Sequence, residues 1–331
     1  MKKSDTLESA SAITMHTSRR NPRVEFSFEQ QLMSLDDSDD VSALHELISL
    51  TWNIYGVSAL FGFQYNDKTV LKLYGKRLRE EIATSLPQEN VAYNANISVE
   101  TILMSDSMYL PPIKVDVFAK KIDQENSIEK CIYKGMFLSW KTANGSDTSN
   151  SIKLPLLLCR GIPTCMNAVH STLSRMFDCL IIALRVKEDD LMWLLPIVMI
   201  PVNDEEYPKN TEEVRLEYVV PGVPKTDTII VKLGSLDLVK ILDVIIKDSG
   251  NNTRSIINLN IEHIKKLRKC LYAHTRKMNG LELGSCTLHR INLPVGAIMD
   301  NKMKIMDPEV MKRVLLYMTE KALSMLHALL F

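Results

Sequence analysis

The chain has 331 residues, 46% apolar and 24% charged, which is enough to bury a sizeable core, and its 40 basic and 40 acidic residues cancel. That balance argues against a free, generally basic nucleic-acid binder, so any DNA contact must come from a local patch. The six cysteines, at 131, 159, 165, 179, 270 and 286, show no C-x-x-C spacing, and no apolar run reaches the length of a membrane span.

Residues 1–23 are polar and charged without an apolar period and are expected to form a disordered tail ending in Arg19, Arg20 and Arg23. The start, Met1-Lys2-Lys3-Ser4-Asp5, leads into a Ser/Thr-rich stretch, so no secretory leader is expected. Reduced, buried thiols then fit a cytosolic or nuclear compartment. A helix capped by Asp39 or Asp40 is predicted, with Val41, Leu44, Ile48 and Tyr55 on one face. A strand is predicted over 57–65. A second helix starts near Asp67, with Val70, Leu71, Tyr74, Leu78 and Ile82 as its apolar stripe and Lys72, Lys76, Arg77 and Arg79 on its other faces.

Strands follow over 96–104, 113–121 and 131–141, each with β-branched or aromatic residues at alternate positions. A polar loop is expected over 142–151, a strand over 153–160 and a helix over 164–180. The apolar stretch 191–202 is broken by Pro196 and ended by Pro201, and reads as a buried strand or turn. Further strands are predicted over 214–220 and 228–233, and helices over 235–247 and 260–277. A strand pair over 282–293 and 302–306 precedes a last helix that begins at Pro308, a favoured first helical position. Consecutive strands without intervening helices imply antiparallel pairing and an α+β class. The chain divides into the tail 1–23, an N-terminal α+β half over 24–160 and a C-terminal α+β half over 161–331, the halves packing as one unit.

Signatures of catalysis are absent from the sequence. There is no phosphate-binding Gly-rich loop, no G-x-S-x-G and no H-E-x-x-H. Cys159, Cys165, His170 and Cys179 come nearest to a metal set, but their spacing is irregular for zinc. No cofactor, metal or small-molecule substrate is expected, although a Cys–His pair meeting only in space would escape sequence reading.

Basic residues gather in the last third. Lys265, Lys266 and Lys269, with Arg276 and Lys277 further on, lie on outward faces of the helix over 260–277, with almost no acid to offset them, and Lys265, Arg268, Lys269, Arg276 and Lys277 are its DNA-contact candidates. Such a cluster favours the helix dipole at a C-terminal end, or it contacts phosphate without reading sequence. Arg290, Lys302 and Lys304 on the following strands, with Lys312 and Arg313 on the last helix, could extend the same patch.

Two stretches, Leu47 to Tyr65 and Cys270 through Lys302-Met303-Lys304-Ile305 to Glu320, resemble the centromere protein L family. One runs from Leu47 to Tyr65 and carries Trp52, Tyr55 and a Leu60-Phe61-Gly62-Phe63-Gln64-Tyr65 ending. The other links Cys270-Leu271-Tyr272-Ala273-His274, Lys302-Met303-Lys304-Ile305 and Leu316-Tyr317-Met318-Thr319-Glu320. A third likeness joins Phe177-Asp178-Cys179 to Met192-Trp193. The matches keep their order across nearly the whole chain, while 106–150 and 202–225 match nothing. The resemblance implies a strongly curved, mainly antiparallel sheet flanked by helices in a non-enzymatic inner-kinetochore subunit of the nucleus. It implies a heterodimer with a centromere protein N homologue, contacts with other subunits of that network, and DNA contact through the assembled complex.

The expected partner surface is the C-terminal sheet, with Ile229, Val231, Leu283, Leu288, Ile291, Leu293, Met303 and Ile305 as interface candidates joining strand edges. The alternative class is an enzyme or small-molecule binder on a similar sheet, which a deep pocket with convergent polar groups would favour.

Overall fold

Trp52-Asn53-Ile54-Tyr55-Gly56-Val57 alternates in bulk, and that alternation makes a strand, β1 (Thr51–Val57). Trp52 and Ile54 enter one core, while Tyr55 and Val57 pack into another on the opposite face. Aromatic and β-branched residues at a period of two suit a strand buried on both sides. The helix predicted through Tyr55 is therefore not formed. Residues 44–50 make a turn instead, with Leu44 and Leu47 fully buried. The Trp52 indole donates to the Leu47 carbonyl at 2.7 Å.

The computed structural model describes residues 44–86, 88, 90–100, 110–122, 128–139, 150–200, 212–224, 226–247 and 259–330. The tail over 1–23, the caps Asp39 and Asp40 with Val41, the end of the strand predicted over 96–104 and most of the loop over 142–151 lie outside them.

After β1 come β2 (Leu60–Phe61), α1 (Lys68–Ser85), β3 (Val91–Val99), β4 (Ile113–Lys121), β5 (Lys130–Leu138), β6 (Ser151–Ile152), β7 (Leu156–Gly161) and α2 (Pro163–Phe177). They are followed by β8 (Ile181–Ala183), α3 (Glu188–Met199), β9 (Glu213–Val219), β10 (Thr228–Gly234), α4 (Ser235–Lys247) and α5 (Ile261–Asn279). The chain then makes β11 (Thr287–Leu293), β12 (Gly296–Met299), β13 (Lys302–Ile305) and α6 (Pro308–Leu330). The strand predicted over 57–65 shrinks to β2, which forms a small ribbon with β6. The predicted pair over 282–293 and 302–306 gains β12 as a middle strand.

The main sheet runs β10-β9-β11-β12-β13-β1-β7-β5-β4-β3, with β8 also on β1, and every pairing is antiparallel. β1 sits at its centre, so one sheet joins the N-terminal and C-terminal strands. One face packs α1 and α2 against β3, β4, β5 and β7 around Leu78, Ile82, Val115, Val117 and Leu173. The other packs α3, α4, α5 and α6 against β1 and the C-terminal strands around Leu194, Leu216, Leu267, Ile291 and Leu315. α2 follows residue 160 in the chain, yet it belongs to the core of the N-terminal strands.

The stretch expected as a strand or turn over 191–202 is mostly helix. Glu188, Asp189 and Asp190 fill the first turn of α3, where acids complement the helix dipole, and Asp190 accepts from the Lys187 backbone at 2.6 Å. Pro196 removes one hydrogen bond from this helix. Leu191, Met192, Leu194, Leu195, Ile197 and Val198 are nonetheless all buried, and that all-round packing outweighs the loss. Among the described residues, no helix is long and apolar enough to cross a membrane.

Candidate interaction surfaces

Of the residues that suggest chemistry, Cys159, Cys165 and His170 lie around Tyr133, while Cys179 sits apart against Leu173, and their surroundings are wrong for chemistry. His170 on α2 meets Tyr55 edge to face at 4.6 Å, and its Nε2 lies 3.4 Å from the Tyr133 hydroxyl. Burial pulls its pKa down to about 4. Burial pushes Cys159 up to about 12, and Cys165 and Cys179 up to about 11. A nucleophilic or metal-binding thiol needs the opposite shift. All six cysteines are free, and among the described residues no group of three or more His, Cys, Asp or Glu is placed to hold a metal. The gap between β4, β5 and α2 is lined by Leu60, Phe63, Val115, Phe137, Leu173 and Phe177, with no polar group converging on it.

The expected basic patch is not one patch. α5 packs through Ile264, Leu267 and Leu271 on the face of the sheet that carries the larger core. Its cations are substantially paired. Lys265 meets Glu262 at 2.6 Å, Arg268 meets Asp189 at 2.7 Å and Arg276 meets Glu282 at 3.0 Å. Burial lowers the pKa of Arg268, but the Asp189 hydrogen bond and the Glu188 and Asp189 charges outweigh it, so it is raised. Lys269 and Lys277 are exposed. Lys312 and Arg313 do not extend the surface. They are 1% and 4% exposed; Lys312 pairs with Glu309 at 3.1 Å and Arg313 donates to the Ile200 carbonyl at 2.8 Å. Residues 310–319 are buried on every side of the helix, so neither side chain has an outward face to occupy.

Arg290, Lys302 and Lys304 lie on the opposite side of the sheet, on the C-terminal part of the face whose N-terminal part α1 and α2 cover; α2 reaches only its near end, where Met166 lies 3.7 Å from Asn53, and no described helix packs on the rest. The register aligns two rows across it. Asn53, Lys302, Met299, Arg290, Glu217 and Ile230 form one; Thr51, Lys304, Ala297, Asn292, Arg215 and Lys232 form the next. Arg215 and Lys232 are cations that the sequence reading missed. The signal was there in the alternation of Glu213, Arg215 and Glu217 with buried Val214, Leu216 and Tyr218. Glu213 lies 3.6 Å from both Arg215 and Lys232, and Glu217 lies 3.7 Å from Arg290. Among the described residues of these rows and their pairs, five cations thus outnumber two carboxylates.

The interface candidates are turned inward. Val231, Leu283, Leu288, Ile291, Leu293, Met303 and Ile305 are buried in the chain's own core, and Ile229 packs against it. Strands β11 and β13 are paired on both sides, so they offer no edge. The C-terminal end of the sheet has one open edge among the described residues, that of β10.

These features define an α+β protein organised around one long antiparallel sheet, with open strand edges and a bare cationic face as its outward resources. The chain belongs to the centromere protein L family, whose sequence profile matches residues 46–323. Centromere protein L of Bos taurus is 24% identical over 303 residues, spanning 87% of this chain and 82% of its own length. Centromere protein L of Xenopus tropicalis is 24% identical over 312 residues, spanning 89% and 84%. Membership of this family makes the chain a centromere or kinetochore protein.

Proposed function

We propose that this chain is a non-enzymatic, nuclear scaffold subunit of the inner kinetochore that pairs with a centromere protein N homologue. Within the assembled complex it lends its bare sheet face to a DNA-contacting channel, and so supports kinetochore assembly and chromosome segregation.

The open edge of β10 carries this reading. It pairs with β9 from Thr228 to Gly234, and among the described residues no strand pairs with its other side. An unpaired edge presents a row of backbone donors and acceptors that another chain's strand can complete. Ile230, 52% exposed, sits beside it on the bare face and gives a partner an apolar contact. A strand added there continues the sheet, and the face bearing Arg215, Lys232, Arg290, Lys302 and Lys304 then runs on into the partner. Zero net charge fits a chain that reaches DNA as part of a complex.

Co-expression with a centromere protein N homologue tests the pairing. A one-to-one complex is expected to co-purify, and Ile230→Asp should weaken it without changing the melting of the isolated chain. Failure to co-purify removes the heterodimer. A complex indifferent to Ile230→Asp moves the interface away from β10.

A further inference from the structure

The sheet has a second open edge at its other end. β3 pairs with β4 along its length, from Val91↔Lys121 to Val99↔Ile113, and among the described residues no strand pairs with its outer side. α1 runs along β3, so close that a Cβ on Gly75 would lie 2.9 Å from the Ala95 carbonyl oxygen. One flank of α1 is tied inward to α2. Glu81 pairs with Arg175 at 2.7 Å, and Tyr74 meets Phe177 edge to face at 5.0 Å. The opposite flank therefore overhangs the β3 edge. It carries Lys68, Lys72, Lys76 and Arg79, whose spacing sets them in one row along the helix. All four are exposed, and none has an ion-pair partner among the described residues.

We propose that this edge accepts an extended acidic segment of a partner protein as an added strand, with its alternate carboxylates beneath the α1 row. The spacing carries the argument. Cations at i and i+4 stand about 6 Å apart along a helix. Same-face residues of a strand stand about 6.6 Å apart. A Glu or Asp at every second position therefore meets successive cations while the backbone meets the open groups of β3. The opposite face of β3 shows exposed Ala92, Asn94 and Asn96, so the intervening positions are small or polar. A phosphate backbone would match the charge but not the row of backbone donors and acceptors. A basic strand is repelled, and the row also guards the edge against a second copy of itself. This site uses a different edge and different chemistry from the β10 pairing, so either can fail alone.

The test uses the full chain and a blocked peptide of alternating Thr and Glu, about ten residues long, with a Thr–Lys peptide as control. Hydrogen exchange over β3 is the readout. The acidic peptide is expected to slow it about tenfold, less so at high salt, while the basic peptide has no effect. The variant Lys72→Glu/Lys76→Glu/Arg79→Glu should exchange the two preferences. No slowing by the acidic peptide, or equal slowing by both, overturns the proposal. So does a β3 edge already protected in the free chain, which would mean that another part of this chain or a second copy occupies it. A short DNA duplex that binds through the same cations while the acidic peptide leaves β3 unchanged would assign the row to nucleic acid instead.

Discussion

At the scale of single residues, the chemistry of the α2 cluster follows from burial. His170 stays neutral because Tyr55, Tyr133 and the surrounding core leave little water to hydrate a charge. Its pKa falls from the ordinary 6.5 to about 4, so between those values the unfolded chain takes up a proton that the folded chain refuses. Stability is therefore full above pH 6.5 and declines as pH falls towards 4, by up to about 3 kcal/mol from this residue. Urea unfolding across that window should show the decline, and His170→Gln should remove most of it; an unchanged slope would show that His170 is hydrated. The sequence displayed Cys159, Cys165, His170 and Cys179 as a possible ligand set. Only the fold shows that Tyr133 fills the space beside His170, and that Gly135 leaves room for the Tyr133 ring, whose hydroxyl would lie 2.6 Å from a Cβ there.

At the scale of elements, patterns read well where one face is dry and poorly where both are. α1, β4 and α4 fall where their periodicity predicts, because each has a distinct apolar side; α6 falls there too, although residues 310–319 are buried all round, because Pro308 marks its start. β1 and α3 differ from what the sequence predicts because β1 puts apolar or aromatic residues into a core on each face and α3 is buried nearly all round. Periodicity then carries little information, and a Pro reads as a breaker even where packing overrides it. What anchors α3 is polar and long-range. Asp190 accepts from the Tyr317 hydroxyl at 3.0 Å and from Lys321 Nζ at 2.7 Å, both on α6, while Asp189 and Glu188 reach Arg268 and Tyr272 on α5. Burial, then the nearby Asp190 charge and hydrogen bond, raise the Tyr317 pKa, so its hydroxyl stays a donor at neutral pH. Asp190→Ala leaves a half-buried ammonium, a hydroxyl and the Lys187 N–H without their acceptor. A loss of about 2–3 kcal/mol in chemical unfolding is expected, against about 1 kcal/mol for Tyr317→Phe, which removes one bond. Equal losses would mean that Asp190 serves Tyr317 alone.

At the scale of the whole molecule, the sheet reorganises what the sequence placed together. Basic residues from 265 to 304 are close in the chain, and proximity suggested one stripe. The sheet separates them, with α5 on the covered side and Arg290, Lys302 and Lys304 on the bare side. No local pattern reveals which face a helix will cover, since that depends on strand order, and β12 itself was not foreseen. The separation makes DNA contact a discriminating measurement. If the bare face lies along DNA in the assembled complex, Arg290→Glu/Lys302→Glu/Lys304→Glu should weaken binding and flatten its salt dependence. Each lost phosphate contact lowers the slope of log K against log salt by about 0.9. Lys269→Glu/Lys277→Glu on α5, where neighbouring cations are already paired with acids, should leave both nearly unchanged. These strand positions have outward side chains, so the variants should keep the fold, which thermal melting can confirm. The reverse outcome, with α5 dominant, would put DNA on the helical side of the sheet. The open face would then be left to protein partners, and β10 pairing would no longer be needed to build a channel.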